Sequence, residues 1–153
     1  MDSSQPIISG SPEQTFELGE ELGRRLTQGD VVLLTGGLGA GKTLFTKGIL
    51  NALEFDIDEV TSPSFTLVNL YKAGNSNVYH IDLWRIEGNE DVAFSVGLDE
   101  ILDDPTAIVV IEWAERLGDY RFDSAYRVDI GGDGDEPRRI TIGRAAQMPA
   151  SGA

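Results

Sequence analysis

The stretch "GGLGAGKT", residues 36–43, sets Gly36, Gly41, Lys42 and Thr43 in the spacing G-x-x-x-x-G-K-[ST], directly after the apolar run "VVLLT". That spacing has a physical purpose. Backbone N–H groups reach phosphate oxygens only where no Cβ intervenes or where φ can turn positive, and glycines supply both conditions. The helix expected to begin near Lys42 would add the positive end of its dipole. Lys42 would meet β/γ oxygens as a point charge, and the Thr43 hydroxyl would occupy one position on Mg²⁺. The nucleotide-binding segment is therefore read as Gly37, Leu38, Gly39, Ala40, Gly41, Lys42, Thr43 and Leu44.

A triphosphate with Mg²⁺ also requires an acidic group near a neighbouring strand end, because Mg²⁺ is a hard octahedral cation that keeps its waters. The run "AIVVI" delivers Glu112 at such an end, where it would bind the ion or orient an attacking water; the alternative is a carboxylate facing solvent or an arginine. Asp82, in "YHIDLW", shares a strand face with His80 and Trp84 by the two-residue period. It serves equally as a second acidic group of the site or as a structural partner of Arg85 or His80. His80 reads as a packed structural histidine, since phosphoryl transfer with a positioned Mg²⁺ needs no imidazole base. Trp113 fits either a core position or a surface on which a base or partner stacks. The segment "TSPSF", 61–65, reads by itself as a plain turn around Pro63.

These residues need elements to hold them. Ser11 as cap, Pro12 in first position and Gln14 three residues after the cap open a helix over residues 11–26, with Leu18, Leu22 and Leu26 on one face. "VVLLT" reads as a buried parallel strand, and "TLFTKGILNAL" as a helix leaving the glycine loop. "SFTLVNLY" and "NVYHIDLW" form a hairpin across Gly74 and Asn75. One or two short helices follow around Gly97, then the strand "AIVVIEW" and the short late strands "YRVDI" and "RITI". The expected fold class is α/β in three layers, a P-loop-like and mainly parallel sheet extended by the antiparallel hairpin of residues 65–84. Residues 1–144 make one domain, and the tail, 145–153, has little to bury and is expected to be disordered.

Composition narrows the function. At 153 residues and 41% hydrophobic, the chain suits one folded domain, and no window approaches the apolar length of a membrane span. No export signal is expected in "MDSSQPIISG", so the cytoplasm is the default compartment. The absence of cysteine removes thiolate metal sites and disulfides. A net charge of -14 weighs against direct grip on nucleic acid, which rests largely on Lys and Arg neutralising phosphates.

Taken together, "GGLGAGKT", "SPSF", "HIDLWR" and "IEWAER" resemble in order and spacing the signatures of the TsaE (YjeE) family, bacterial ATPases of tRNA threonylcarbamoyladenosine biosynthesis, across about residues 11–143. The resemblance implies a weak, partner-stimulated ATPase that uses ATP and Mg²⁺. It implies Lys42 and Thr43 as phosphate and metal contacts, Asp82 and Glu112 serving metal and catalysis, Trp113 as functional beside the nucleotide, and the "TSPSF" loop as a switch-like element. The implied partner is a TsaB–TsaD complex that modifies the adenosine next to the anticodon, with tRNA reached only through those partners and no membrane involved. The family's usual pattern has Asp, Thr and Tyr where Gly37, Ser64 and Trp84 stand here.

Two other classes fit a phosphate loop. A small-molecule kinase would want an arginine-bearing lid, whereas Arg116, Arg121, Arg127, Arg138 and Arg139 are scattered. A nucleotide-sensing module with negligible hydrolysis is the third, and a guanine-specific version is disfavoured because no N-K-x-D segment occurs.

Overall fold

A computed structural model describes residues 5–37, 39–54, 68–84 and 91–149. The first strand, β1 (Ile7–Ser9), leads into α1 (Pro12–Gly23), which starts as its sequence dictates: the Ser11 hydroxyl accepts from Gln14 N at 3.2 Å with Pro12 in the first turn. The Gln14 side chain reaches back to accept from Gly10 N at 2.8 Å. The helix ends three residues before the expected Leu26, which is still buried against the same core. The shortening brings no loss of apolar burial, because the chain turns after Gly23 and lays Leu26 on the sheet.

β2 (Val31–Gly36) is followed by the glycine loop and α2 (Lys42–Ala52). The two helices lie unusually close, and glycines are what allow it. A Cβ on Gly19 would stand 2.2 Å from Phe45 O, and one on Gly48 would stand 2.1 Å from Phe16 O. Both distances lie inside van der Waals contact with backbone, which cannot rotate away as a side chain could.

The hairpin forms across Gly74 and Asn75, with β3 (Val68–Ala73) antiparallel to β4 (Ser76–Asp82) and Gly74 at φ +62°. Residues 64–67 of the expected first strand lie outside the described residues. Gly97, at φ +69°, divides the next segment into α3 (Val92–Val96) and α4 (Leu98–Leu102). β5 (Ala107–Glu112) is buried along its whole length, as a central parallel strand must be. A 3₁₀ turn (Ala114–Leu117) then leads to β6 (Arg121–Gly131) and β7 (Arg138–Pro149).

The seven strands form one sheet in the order β1-β7-β6-β2-β5-β4-β3. β6, β2, β5 and β4 are mutually parallel, whereas β3–β4, β6–β7 and β1–β7 are antiparallel. The sheet is therefore mixed, and the expectation of a mainly parallel one is corrected. Short apolar runs carry no mark of direction, and the late strands proved far longer than the runs that signalled them. β7 also continues through residues 145–149 of the tail expected to be disordered, where its backbone pairs with the start of β6. Ladder hydrogen bonds hold it there, a source of order that apolar content does not register.

Alternation along β2 divides the core. Val32 and Leu34 join Leu18, Leu22, Phe45 and Ile49 beneath α1 and α2, while Val31 and Leu33 join Val92, Leu98, Ile101 and Leu117 on the opposite face. The three expected layers follow from that split. Each fully buried Leu, Ile or Phe contributes about 1.5–3 kcal/mol relative to exposure. Among the described residues no helix is long and apolar enough to cross a membrane.

Candidate functional site

The parallel strands β4, β2 and β5 end together at one edge of the sheet, and register aligns what they carry. Asp82 of β4 and Leu34 of β2 both pair with Glu112 of β5, so both carboxylates lie at the same level. Glu112 faces α2 and is only 2% exposed, which removes the alternative of a carboxylate turned to solvent.

The loop between β2 and α2 is shaped by its glycines. Gly36 has φ +144°, and a Cβ there would approach Ile130 O to 2.3 Å. Gly41, at φ +111°, delivers the chain into α2 with no side-chain cap on the helix's first N–H groups. Those groups are thereby left for a ligand, since the first turn of a helix has no internal partners.

Lys42 is largely buried, and its Nζ donates to Gly36 O and Gly37 O, both at 2.7 Å, while lying 4.0 Å from the centre of the Trp113 ring. Burial pulls its pKa below the ordinary lysine value, opposed by the charges of Glu112, Glu115 and Asp82. Thr43 Oγ1 donates to Glu112 Oε1 at 3.0 Å, joining the loop's last residue to the strand end. The second oxygen of Glu112 meets His80 Nε2, so one buried carboxylate is held from both sides. His80 is fully buried, in keeping with a packed structural histidine, and its Nδ1 has no hydrogen-bond partner. Asp82 Oδ1 accepts from Trp84 N at 3.0 Å. Trp113 adopts the left-handed region at φ +61°, which turns its ring toward Lys42 and to 4.8 Å from the Trp84 ring. Arg116 lies over both indoles, 5.6 Å from Trp113 and 5.9 Å from Trp84.

A cavity of about 310 Å³ opens over this group, lined by Gly39, Ala40, Gly41, Lys42, Thr43, Leu44, Asp82, Trp84, Glu112 and Trp113. Most of the residues singled out in the sequence thus meet in one place. Gly37 is outside that lining and contributes its carbonyl to Lys42. Leu38, Arg85 and the "TSPSF" segment lie outside the described residues.

The donors on offer suit a hard cation. Thr43, Glu112 and Asp82 present oxygen only, and among the described residues no cluster of three or more acidic, histidine or cysteine side chains forms a metal cage. Mg²⁺ held partly by phosphate and water needs no such cage, so the residues fit it.

On the other side of the loop a second cavity, of about 330 Å³, is bounded by Ser9, Ser11, Thr15, Gly134 and Arg138 as well as Gly39, Ala40 and Gly41. None of its distant residues was legible as a site residue. Ser9 belongs to a three-residue strand with no sequence signal, and Arg138 reaches the loop across nearly 100 positions of chain.

A glycine loop between a buried strand and a helix, with a hydroxyl-bearing residue bonded to an acidic strand end, defines an α/β protein with a phosphate-loop site. Residues 9–140 match the family described as "Threonylcarbamoyl adenosine biosynthesis protein TsaE". A TsaE protein of Nostoc is 39% identical over 76% of this chain and 72% of its own length. One of Treponema pallidum is 37% identical over 88% of this chain and 97% of its own. The crystal structure of YdiB from Bacillus subtilis superimposes with a TM-score of 0.69 at 30% identity, covering 95% of this chain and 88% of that one. The chain belongs to the TsaE family.

Proposed function

We propose that this chain binds ATP with Mg²⁺ and hydrolyses it slowly, as an accessory factor in threonylcarbamoyladenosine modification of tRNA. Its similarity to curated tRNA threonylcarbamoyladenosine biosynthesis proteins supports the pathway. The observation that carries the chemistry is the Thr43 Oγ1 to Glu112 Oε1 bond, which brings the loop's hydroxyl and a buried carboxylate to one point beside Lys42.

In this reading Lys42 holds the carbonyls of Gly36 and Gly37 and directs its third N–H to phosphate oxygens. The first N–H groups of α2 bind the same phosphates, and the ordered backbone offers them without reorganisation. Thr43, Glu112 and Asp82 would hold Mg²⁺, one of the two carboxylates directly and the other through water. Bound Mg²⁺ would neutralise charge developing on the β/γ oxygens. Glu112, pinned by His80 and Thr43, keeps a fixed orientation from which it can also align a water. Trp113 packs against Lys42 and shields the site. The nucleoside belongs to the 330 Å³ cavity, which borders the loop opposite the carboxylates. The partner is a TsaB–TsaD complex, and the acidic surface fits a protein that leaves tRNA to its partners. The compartment is the cytoplasm.

Phosphate release from ATP tests this, measured for the chain alone and with TsaB, TsaD and tRNA, with Glu112→Ala as control. Slow release that rises with partners and is lost in the variant is expected. Release that partners leave unchanged, or ATP loss matched by a phosphorylated metabolite, would displace this reading in favour of a kinase.

A further inference from the structure

Four of the loop's carbonyls are held by two cations from different parts of the chain. Lys42 takes Gly36 O and Gly37 O. Arg138, at the start of β7, takes two more: its Nε donates to Ala40 O at 3.1 Å and its Nη2 to Gly39 O at 3.3 Å. The same guanidinium donates to Gly134 O at 3.1 Å and, through Nη1, to Glu136 O at 2.5 Å, both in the turn between β6 and β7. One side chain therefore ties four carbonyls, two from the loop and two from a turn nearly 100 residues away.

The consequence follows from peptide planarity. In a trans peptide the C=O and the following N–H point in opposite directions. With Gly39 O and Ala40 O drawn toward Arg138, the N–H groups of Ala40 and Gly41 are turned away from it. Arg138 borders only the 330 Å³ cavity, whereas Gly41 borders both, so the Gly41 N–H turned away from Arg138 lies on the side of the 310 Å³ cavity that holds Lys42, Thr43 and Glu112. Ala40 N–H is used within the loop itself, donating to Gly37 O at 3.2 Å, which leaves Gly41 N–H for a ligand. Lys42 keeps a third N–H for a phosphate while holding its two carbonyls, and Arg138 acts on the loop from the opposite side.

We propose that Arg138 is a positioning residue of the phosphate loop: it fixes the 40–41 peptide with its N–H facing the β-phosphate, holds the adjoining 39–40 peptide, and locks the β6–β7 turn to the same frame. This rests on the reading that the loop binds a nucleotide. A guanidinium suits the task because its planar fork of five donors can satisfy several carbonyls at once, which an ammonium cannot do in the same plane.

The test is calorimetric titration of the full chain with ATP, ADP and GTP in Mg²⁺, for the unchanged protein, Arg138→Met, Arg138→Lys and Lys42→Ala. Losing the two loop contacts should weaken ATP and ADP by the same factor, about tenfold or more, with the ATP-to-GTP preference unchanged. Arg138→Lys should recover only part of that loss, and it remains informative if Arg138→Met fails to fold. Unchanged ATP affinity in a folded Arg138 variant overturns the proposal. So does a loss confined to ATP, which means a γ-phosphate contact, or a shifted ATP-to-GTP ratio, which means a base contact. Failure of the unchanged chain to bind, or unchanged binding in Lys42→Ala, sinks the nucleotide reading itself.

Discussion

Replacing His80 by Phe should destabilise the protein through a residue it leaves in place. The site has no solvent access and Nδ1 has no partner to lose; the larger phenyl ring adds an overpacking cost, which the double-variant cycle below cancels because both backgrounds carry it. What disappears is the single Nε2 contact to Glu112 Oε2. Glu112, 2% exposed, then keeps Thr43 on one oxygen and nothing on the other. Leaving one end of a buried charged acceptor unsatisfied costs about 2–3 kcal/mol. For a chain of this size each kcal/mol shifts Tm by about 2–4 °C, so the midpoint should fall by about 5–10 °C. Thermal unfolding followed by circular dichroism at neutral pH measures it. The double variant His80→Phe/Glu112→Leu should be less destabilised than the two single changes summed, because the orphaned charge is gone. His80→Gln, which restores an N–H donor, should recover part of the loss. A midpoint within 1 °C of the unchanged protein for His80→Phe, or strict additivity in the cycle, would refute the reasoning.

Gly48→Ala should cost about 3 kcal/mol or more by forcing a methyl to within 2.1 Å of Phe16 O, and urea unfolding would show a lower midpoint; an unchanged midpoint would mean that α1 and α2 separate at little cost. Lys42→Met should abolish ATP binding while changing how stability depends on pH. The folded pKa of Lys42 is depressed, so between that value and 10.5 the unfolded chain binds the extra proton and this residue's contribution to stability rises with pH. Subtracting the pH–stability curve of Lys42→Met from that of the unchanged chain should isolate this rise, and a flat difference would contradict it. Asp104 is held well below the usual carboxylate range by Asn77, Thr106 and Tyr79. Its contribution is present above pH 3.8 and lost as pH falls through its depressed value. Asp104→Asn should therefore be the less stable protein near neutrality, and acid titration should bring the two curves together.

Local chemistry was legible wherever a residue's neighbours in sequence are also its neighbours in space. Gly36, Gly41, Lys42 and Thr43 form the loop because their spacing allows few other backbones, and Ser11 with Pro12 opens α1 for the same local reason. Glu112 was recognisable from the apolar run before it, and Gly74 and Asn75 marked the hairpin turn. Strand direction was not legible, since a run such as "RITI" alternates alike in a parallel or an antiparallel ladder. Nor did the composition of residues 145–149 reveal their place in β7, because backbone pairing is blind to side chains.

The sequence alone thus determined the phosphate loop, the acidic strand end, the elements flanking them and the resemblance to one family. Only the tertiary structure decided that Glu112 is buried between Thr43 and His80, that Trp113 turns its ring to Lys42, and that Arg138 reaches back to Gly39 and Ala40. The reason is one of range. Turn and helix-start preferences act over a few bonds, whereas these contacts depend on the register of separate strands, which is set only when the whole sheet assembles.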